Sequence, residues 1–172
     1  MPRTPRTPRT RAAAALLACA LLTGLAGCGD DDGPRHVGKV LEHTDDEGRH
    51  YRQISDKNAP EVELVVKADE NPADGWDVRV RVRHFRLSPA GTPETAVRGR
   101  GTIQLYLDDK LLARLRVVDY RLPGARVSRG THHLTARLYA DDHTVWAVDG
   151  KPVEATADLT ASGAETAPPG LG

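Results

Sequence analysis

Leu25-Ala26-Gly27-Cys28 is the first place in the chain where residue type and spacing point to chemistry. Small residues precede a cysteine at the end of an apolar run, Ala12 to Leu25. That run follows Arg3, Arg6, Arg9 and Arg11 with no acidic residue among them. This is the pattern of a lipobox: residues 1–27 are expected to be a lipoprotein signal peptide. The Cys28 thiol then takes a diacylglycerol anchor and its freed amine becomes the new N-terminus. The run is too short for a spanning helix. The expected location is the cell membrane, lipid-anchored on the extracytoplasmic face. Cys19 leaves with the signal. No cysteine then remains for a disulfide, a metal thiolate or a thiol nucleophile.

Other chemistry is sparse. A nucleophilic serine needs an orienting base, and Ser55, Ser88, Ser128 and Ser162 lie in no Gly-x-Ser-x-Gly elbow. There is no Gly-rich phosphate loop and no His-Glu-x-x-His. The acid pairs Asp108-Asp109 and Asp141-Asp142 read as turn residues. The chain is therefore expected to have no catalytic residues and no cofactor.

Histidines offer a metal reading. His36, His43 and His50 recur at intervals of seven in a polar N-terminal stretch. His84, His132, His133 and His143 fall on strands or turns and form the candidate set for copper or zinc. His132 and His133 are adjacent, so a strand points them to opposite faces.

Arginines offer a binding surface. Residues 28–75 carry 13 acidic and 6 basic side chains, residues 76–137 carry 5 and 13, and residues 138–172 carry 6 and 1. The central segment thus has a net charge of +8 between acidic flanks. Arg79, Arg81 and Arg83 fall on one strand face, as do Arg114 and Arg116. Like charges in a row destabilise a sheet, so two readings compete. Either acids on a neighbouring strand, such as Glu61 and Glu63, neutralise them, or they form a basic face. Such a face, held near the membrane by Cys28, would meet anionic lipid, an acidic cell-wall polymer or an envelope protein. No aromatic platform accompanies the arginines, and nucleic acid is not an expected partner.

The elements that must position these residues are strands. Val62, Leu64 and Val66 alternate with polar neighbours, and Trp76, Val78, Val80 and Val82 alternate with Asp77, Arg79, Arg81 and Arg83. Phe85 and Leu87 continue the apolar set on the opposite parity, which predicts a β-bulge near His84. Ile103–Leu107, Leu111–Val118 and Leu134–Leu138 supply further strands. Thr144–Val148 and Val153–Leu159 read as a hairpin over Asp149-Gly150. The reading is an all-β fold, a single immunoglobulin-like antiparallel β-sandwich of about seven strands over residues 60–160. Trp76, Val80, Phe85, Leu105 and Leu138 are its expected core. Residues 28–59 read as a polar tether, in which His36–Leu41 and His50–Ile54 are linker or an edge hairpin. Residues 161–172, rich in Ala, Gly, Thr and Pro, read as a disordered tail.

The order of short motifs from Pro60 onward resembles a group of uncharacterised secreted or lipid-anchored β-sandwich proteins of actinobacteria. The matching pieces are Ala59-Pro60-Glu61-Val62, Gly75-Trp76-Asp77-Val78, Phe85-Arg86-Leu87-Ser88-Pro89, Leu105-Tyr106-Leu107-Asp108, Tyr120-Arg121-Leu122-Pro123, Ala140-Asp141-Asp142-His143 and Val148-Asp149-Gly150-Lys151-Pro152-Val153. The resemblance implies the sandwich fold and an extracytoplasmic location, and no established activity. Members often carry histidines before the Leu-Tyr of the third strand and one in the Tyr-x-Leu-Pro segment, which suggests metal binding in the group. Here Thr102, Gln104 and Arg121 stand at those positions and only His143 is kept. The resemblance therefore implies that such a site is lost in this chain. Taken together, the expected function is a non-catalytic envelope binding or accessory module. The alternative is an extracytoplasmic metal-binding protein.

Overall fold

Alternation on β4, Trp76–Arg83, decides which way the first sheet faces. Trp76, Val78 and Val80 are buried while Asp77, Arg79, Arg81 and Arg83 face solvent. The computed structural model describes residues 37–54, 58–69 and 74–161. All of them belong to one unit, Gly33–Gly172. Among them the chain is all-β, with a 3-10 turn at Gly124–Arg126 between β8 and β9. The other strands are β1 (Lys39–Thr44), β2 (His50–Gln53), β3 (Glu61–Ala68), β5 (Arg86–Leu87), β6 (Arg100–Leu107) and β7 (Lys110–Leu115). They continue with β8 (Asp119–Leu122), β9 (Gly130–Tyr139), β10 (Val145–Val148), β11 (Lys151–Pro152) and β12 (Glu154–Ala161).

Two sheets result. One is three-stranded in the order β3-β4-β8. The other has nine strands. Its main path is β1-β2-β10-β9-β6-β5, with β7 added to β6, β12 to β9 and β11 to β10. Their facing sides share one apolar core. Trp76, Val78, Val80 and Leu122 from the small sheet meet Ile103, Leu105, Leu134, Leu138 and Trp146 from the large one. All five expected core residues are buried there. Trp146 satisfies its indole by donating to the Arg100 carbonyl at 3.2 Å.

The described strands number twelve, against an expectation of about seven, and two pairs are parallel: β2 with β10 and β5 with β6. The change of phase at His84 has a different cause from a bulge within one strand. His84 adopts φ 52°, the chain leaves the small sheet, and Arg86–Leu87 pairs with β6 of the large sheet. Phe85 still reaches the core, now across the gap between sheets. The strand expected at Leu111–Val118 ends at Leu115, and residues 116–118 bend back toward β8. Asp149-Gly150 does make a two-residue turn, with φ 50° and 74°. It joins β10 only to the short β11, and β12 pairs with β9 along its whole length. The stretch read as linker or edge hairpin forms the hairpin β1–β2, and β2 joins the large sheet.

One position in this sheet admits only glycine. Gly101 of β6 has φ 152°, and a Cβ there would lie 1.8 Å from the Tyr139 carbonyl oxygen of β9. The close approach fixes β6 against β9 where the two strands enter the outer face described next.

Candidate functional site

Outward-facing arginines on the two sheets have different surroundings. On the small sheet each has a carboxylate across the strand. Arg79 Nε donates to Asp119 at 2.6 Å, Arg81 lies 3.3 Å from Glu63, and Arg83 lies 3.9 Å from Glu61. Arg121 on β8 bonds Asp77 at 2.8 Å and also Asp69. Register explains this: Glu61 faces Arg83 and Glu63 faces Arg81 on β3, while Asp119 faces Arg79 on β8. The Asp119 hydrogen bond raises the Arg79 pKa above its ordinary value. The face over Val65, a shallow hollow of about 530 Å³, therefore carries both signs in close alternation. The ladder of like charge expected on β4 is neutralised by its neighbours.

The large sheet carries the other two candidates. Arg114 of β7 stands in register with Gln104 of β6, and Thr102 lies two residues back on the same face. Arg116 follows Arg114 on the same side. Its Nη1 donates to the carbonyls of Ser88 and Pro89, 2.8 Å each, and so pins the segment after β5 to the sheet. That segment brings Glu94 to 3.4 Å from His143 Nε2, and the turn after β9 brings Asp141. Asp141 is buried and holds Arg100 Nε at 2.7 Å. These side chains enclose a crevice of about 110 Å³. The Arg114 side chain has no hydrogen bond or ion pair among the described residues.

Gln104 closes the floor of the crevice, with only 2% of its surface exposed. Its Oε1 accepts from Arg49 Nη1 at 2.8 Å and from Tyr106 OH at 3.0 Å. Arginine can only donate, so the amide orientation is fixed by chemistry. Its Nε2, without a partner among the described residues, is the polar end left for the crevice.

Behind Gln104 lies a buried polar network that the sequence reading missed. Tyr139 OH donates to Asp45 Oδ2 at 2.9 Å and lies 2.7 Å from Tyr106 OH. Asp45 sits in the β1–β2 turn, where its Oδ1 accepts from the backbone N–H groups of Glu47 and Arg49. Arg49 ion-pairs with Glu47 and stacks over the Tyr139 ring, 4.9 Å from its centroid. Arg137 stacks over Tyr106 at 5.2 Å and bonds Glu154 at 2.6 Å. Burial pushes the Tyr139 hydroxyl well above the usual tyrosine range, and its hydrogen bond to Asp45 adds to this. The sequence signal was available in Tyr106 and Tyr139, two aromatic residues on the polar parity of their strands.

The candidate histidines stay apart. His84 Nδ1 lies 3.2 Å from the Ala59 carbonyl, and His133 pairs with Asp158 at 2.7 Å on the outer face. His132 turns inward, with Nδ1 2.6 Å from Asp108 Oδ2. His43 lies near the Gly150 carbonyl and His50 near the Leu41 carbonyl, at 3.3 and 3.0 Å. Among the described residues no three His, Cys, Asp or Glu side chains are placed to hold a metal ion. His36 and Cys28 lie outside the described residues, and among those described no helix is long and apolar enough to cross a membrane.

Ser128, His132 and Asp108 do stand in the order of a nucleophilic triad. Ser128 Oγ is 3.3 Å from His132 Nε2, but that nitrogen is closer, 2.8 Å, to the Ser128 carbonyl. A carbonyl only accepts, so Nε2 carries a proton directed at it while Nδ1 faces a carboxylate. The Asp108 hydrogen bond raises the His132 pKa, which favours the doubly protonated ring. A protonated Nε2 has no lone pair for the serine proton.

No known protein family, curated protein or solved structure matches the chain.

Proposed function

We propose that this chain is a non-catalytic binding module of the bacterial cell envelope, tied to the extracytoplasmic face of the membrane through Cys28. Its working surface is the outer face of the large sheet around Arg114, and its partner is an acidic envelope component. One observation carries this choice of surface. Arg79, Arg81 and Arg83 each have a carboxylate within 4 Å, whereas Arg114 has none and borders a crevice with Arg116. An ion pair already satisfied within the protein gains little by exchanging partners, while an unpaired guanidinium retains its attraction for an anion. The lipobox supports the location, and the ordered motifs from Pro60 onward support membership in the actinobacterial lipoprotein group they resemble. The immunoglobulin-like reading is supported by pairing order. Seven strands run β3-β4-β8 in one sheet and β7-β6-β9-β12 in the other, which corresponds to A-B-E packed on C′-C-F-G.

Co-sedimentation of the Gly29–Gly172 fragment with anionic vesicles and purified cell wall, across a salt series, tests the reading. Binding that fades with salt is expected, lost in Arg114→Glu and retained in Arg81→Glu. Equal loss in both variants, or no binding at low salt, would overturn it. Metabolic labelling with palmitate should mark the wild-type chain and not Cys28→Ser.

A further inference from the structure

The crevice beside Arg114 has the composition of a recognition site for a single chemical group. Three of its side chains carry unengaged donors. Arg114 offers a full guanidinium, Gln104 offers its Nε2 amide, and the Thr102 hydroxyl has no hydrogen bond among the described residues. Of the two carboxylates in its lining, Asp141 is held by Arg100 at 2.7 Å, and Glu94 stands largely exposed at the rim, 3.4 Å from His143 Nε2. Among the lining side chains Arg114 and Arg116 balance Glu94 and Asp141, and Arg100, bonded to Asp141 at 2.7 Å, adds a further positive charge beside the crevice. A volume of about 110 Å³ holds a few waters or one carboxylate or phosphate group, since a water occupies roughly 30 Å³ in the liquid. Gln104 is buried and held from behind by Arg49 and Tyr106, so its donor is fixed in direction before any ligand arrives.

We propose that this crevice is an oxyanion-binding site that takes the carboxylate or phosphate group of its ligand. Arg114 supplies the charge, and Gln104 Nε2 with Thr102 Oγ1 supplies the directional donors. The proposal rests on the envelope-binding reading for the source of the ligand, and on the crevice geometry alone for its chemistry. Charge-assisted hydrogen bonds from a guanidinium are among the stronger polar contacts, and an amide donor fixed beside it adds geometric selection.

The test is a pair of nuclear magnetic resonance titrations of the purified protein in neutral detergent micelles, at constant ionic strength set with chloride. One titrant is inorganic phosphate and the other is acetate. The expected result is a saturable one-site shift of the Gln104 side-chain amide signals together with the Thr102 and Arg114 backbone amides. Arg114→Gln should weaken the midpoint at least tenfold, and Thr102→Val should weaken it less. Neither substitution touches the Arg49–Gln104–Tyr106 contacts, so the undisturbed spectrum elsewhere reports that the fold is intact. Saturation by phosphate alone supports a phosphate-bearing ligand, and saturation by acetate alone supports a carboxylate. No saturable shift with either titrant, or the same midpoint in Arg114→Gln, would overturn the site. Envelope binding with no saturable shift would sink the crevice alone. Saturation without envelope binding would sink the envelope reading alone.

Discussion

Replacing Tyr139 with phenylalanine should destabilise the fold at neutral pH and also flatten its loss of stability in alkali. At neutral pH the change removes the donor to Asp45 Oδ2, a 2.9 Å bond in a fully buried setting. Hydrogen bonds to charged groups contribute about 1.5–3 kcal/mol, and the carboxylate keeps its two backbone donors, which argues for the lower half of that range. The alkaline effect follows from linkage. Burial raises the Tyr139 pKa in the folded state, so the folded protein binds that proton more tightly than the unfolded chain. A raised pKa contributes stability that is complete below the unfolded value near 10, and is lost as pH rises above it. While the folded hydroxyl stays protonated, one tyrosine costs about 1.4 kcal/mol at pH 11 and about as much again at pH 12. Tyr51, also raised by burial, adds to the slope in both proteins and cancels in the comparison, whereas Tyr106 loses the Tyr139 hydrogen bond that lowers it and rises further in the variant, offsetting part of the gain at the highest pH. Urea unfolding of wild type and Tyr139→Phe at pH 8, 10, 11 and 12 measures both effects. The variant should be less stable at pH 8, and its deficit should shrink by about 1.4 kcal/mol between pH 8 and 11. A deficit that stays constant with pH would mean that Tyr139 ionises freely in the folded protein. The buried network would then be wrong.

Three further outcomes are expected. Gly101→Ala should cost about 3 kcal/mol or more by thermal denaturation, because its Cβ would lie 1.8 Å from the Tyr139 carbonyl oxygen, and a small cost would mean that β6 and β9 are farther apart. Phe85→Ala should cost about 3–5 kcal/mol, and a cost near zero would place the ring outside the gap between the sheets. Asp108→Asn should cost less than about 1 kcal/mol, because Asp108 is nearly half exposed. The His132 pKa is raised by Asp108, so this contribution should be complete below pH 6.5 and fade as pH rises through the folded histidine pKa. At the acid end it should fade again as pH falls below the carboxylate range, because His132 lowers the Asp108 pKa. A loss that is the same at pH 5.5 and 8.5 would contradict the pairing.

Local signals in the sequence carried the strands and the turns. Alternation on β4 and β9 named the buried faces correctly, and Asp149-Gly150 turned as its residue types require, with both φ values positive. Asp108 and Asp109, also both at positive φ, did the same between β6 and β7. What alternation does not encode is which strand lies next to which. Glu61 and Glu63 were visible as candidate partners for the β4 arginines, and register made them so, but Asp119 reached Arg79 from a strand forty residues away. The step at His84 was legible as a change of parity. Its resolution, a move from one sheet to the other, was not, because the sequence signal for a bulge and for a sheet crossing is the same single-residue offset.

The outer face of the large sheet shows why the crevice was the hardest part to read. Polar residues on the solvent parity of a strand are expected to be exposed, and Gln104, Tyr106 and Tyr139 carry that pattern. They are buried because the β1–β2 hairpin, whose contacts reach back 55 residues from Gln104 and 94 from Tyr139, folds over them, and the sequence leaves that stretch open between linker and edge hairpin. Burying an amide, two hydroxyls and a carboxylate is unfavourable unless every one is engaged, and here Arg49, Asp45 and the two tyrosines engage one another. Gln104 is the exception in part. Its carbonyl end completes the network, while its amide end completes nothing within the described residues and borders the crevice that Arg114 also lines. An aliphatic residue at this position would leave the Arg49 Nη1 and Tyr106 hydroxyl donors without their acceptor, so structure accounts for the carbonyl end of Gln104 and not for its amide end. That amide, held from behind by Arg49 and Tyr106 and lining the same crevice as the unpaired Arg114 guanidinium, is the physical basis of the recognition proposed for this face rather than for the paired charge ladder of the other sheet.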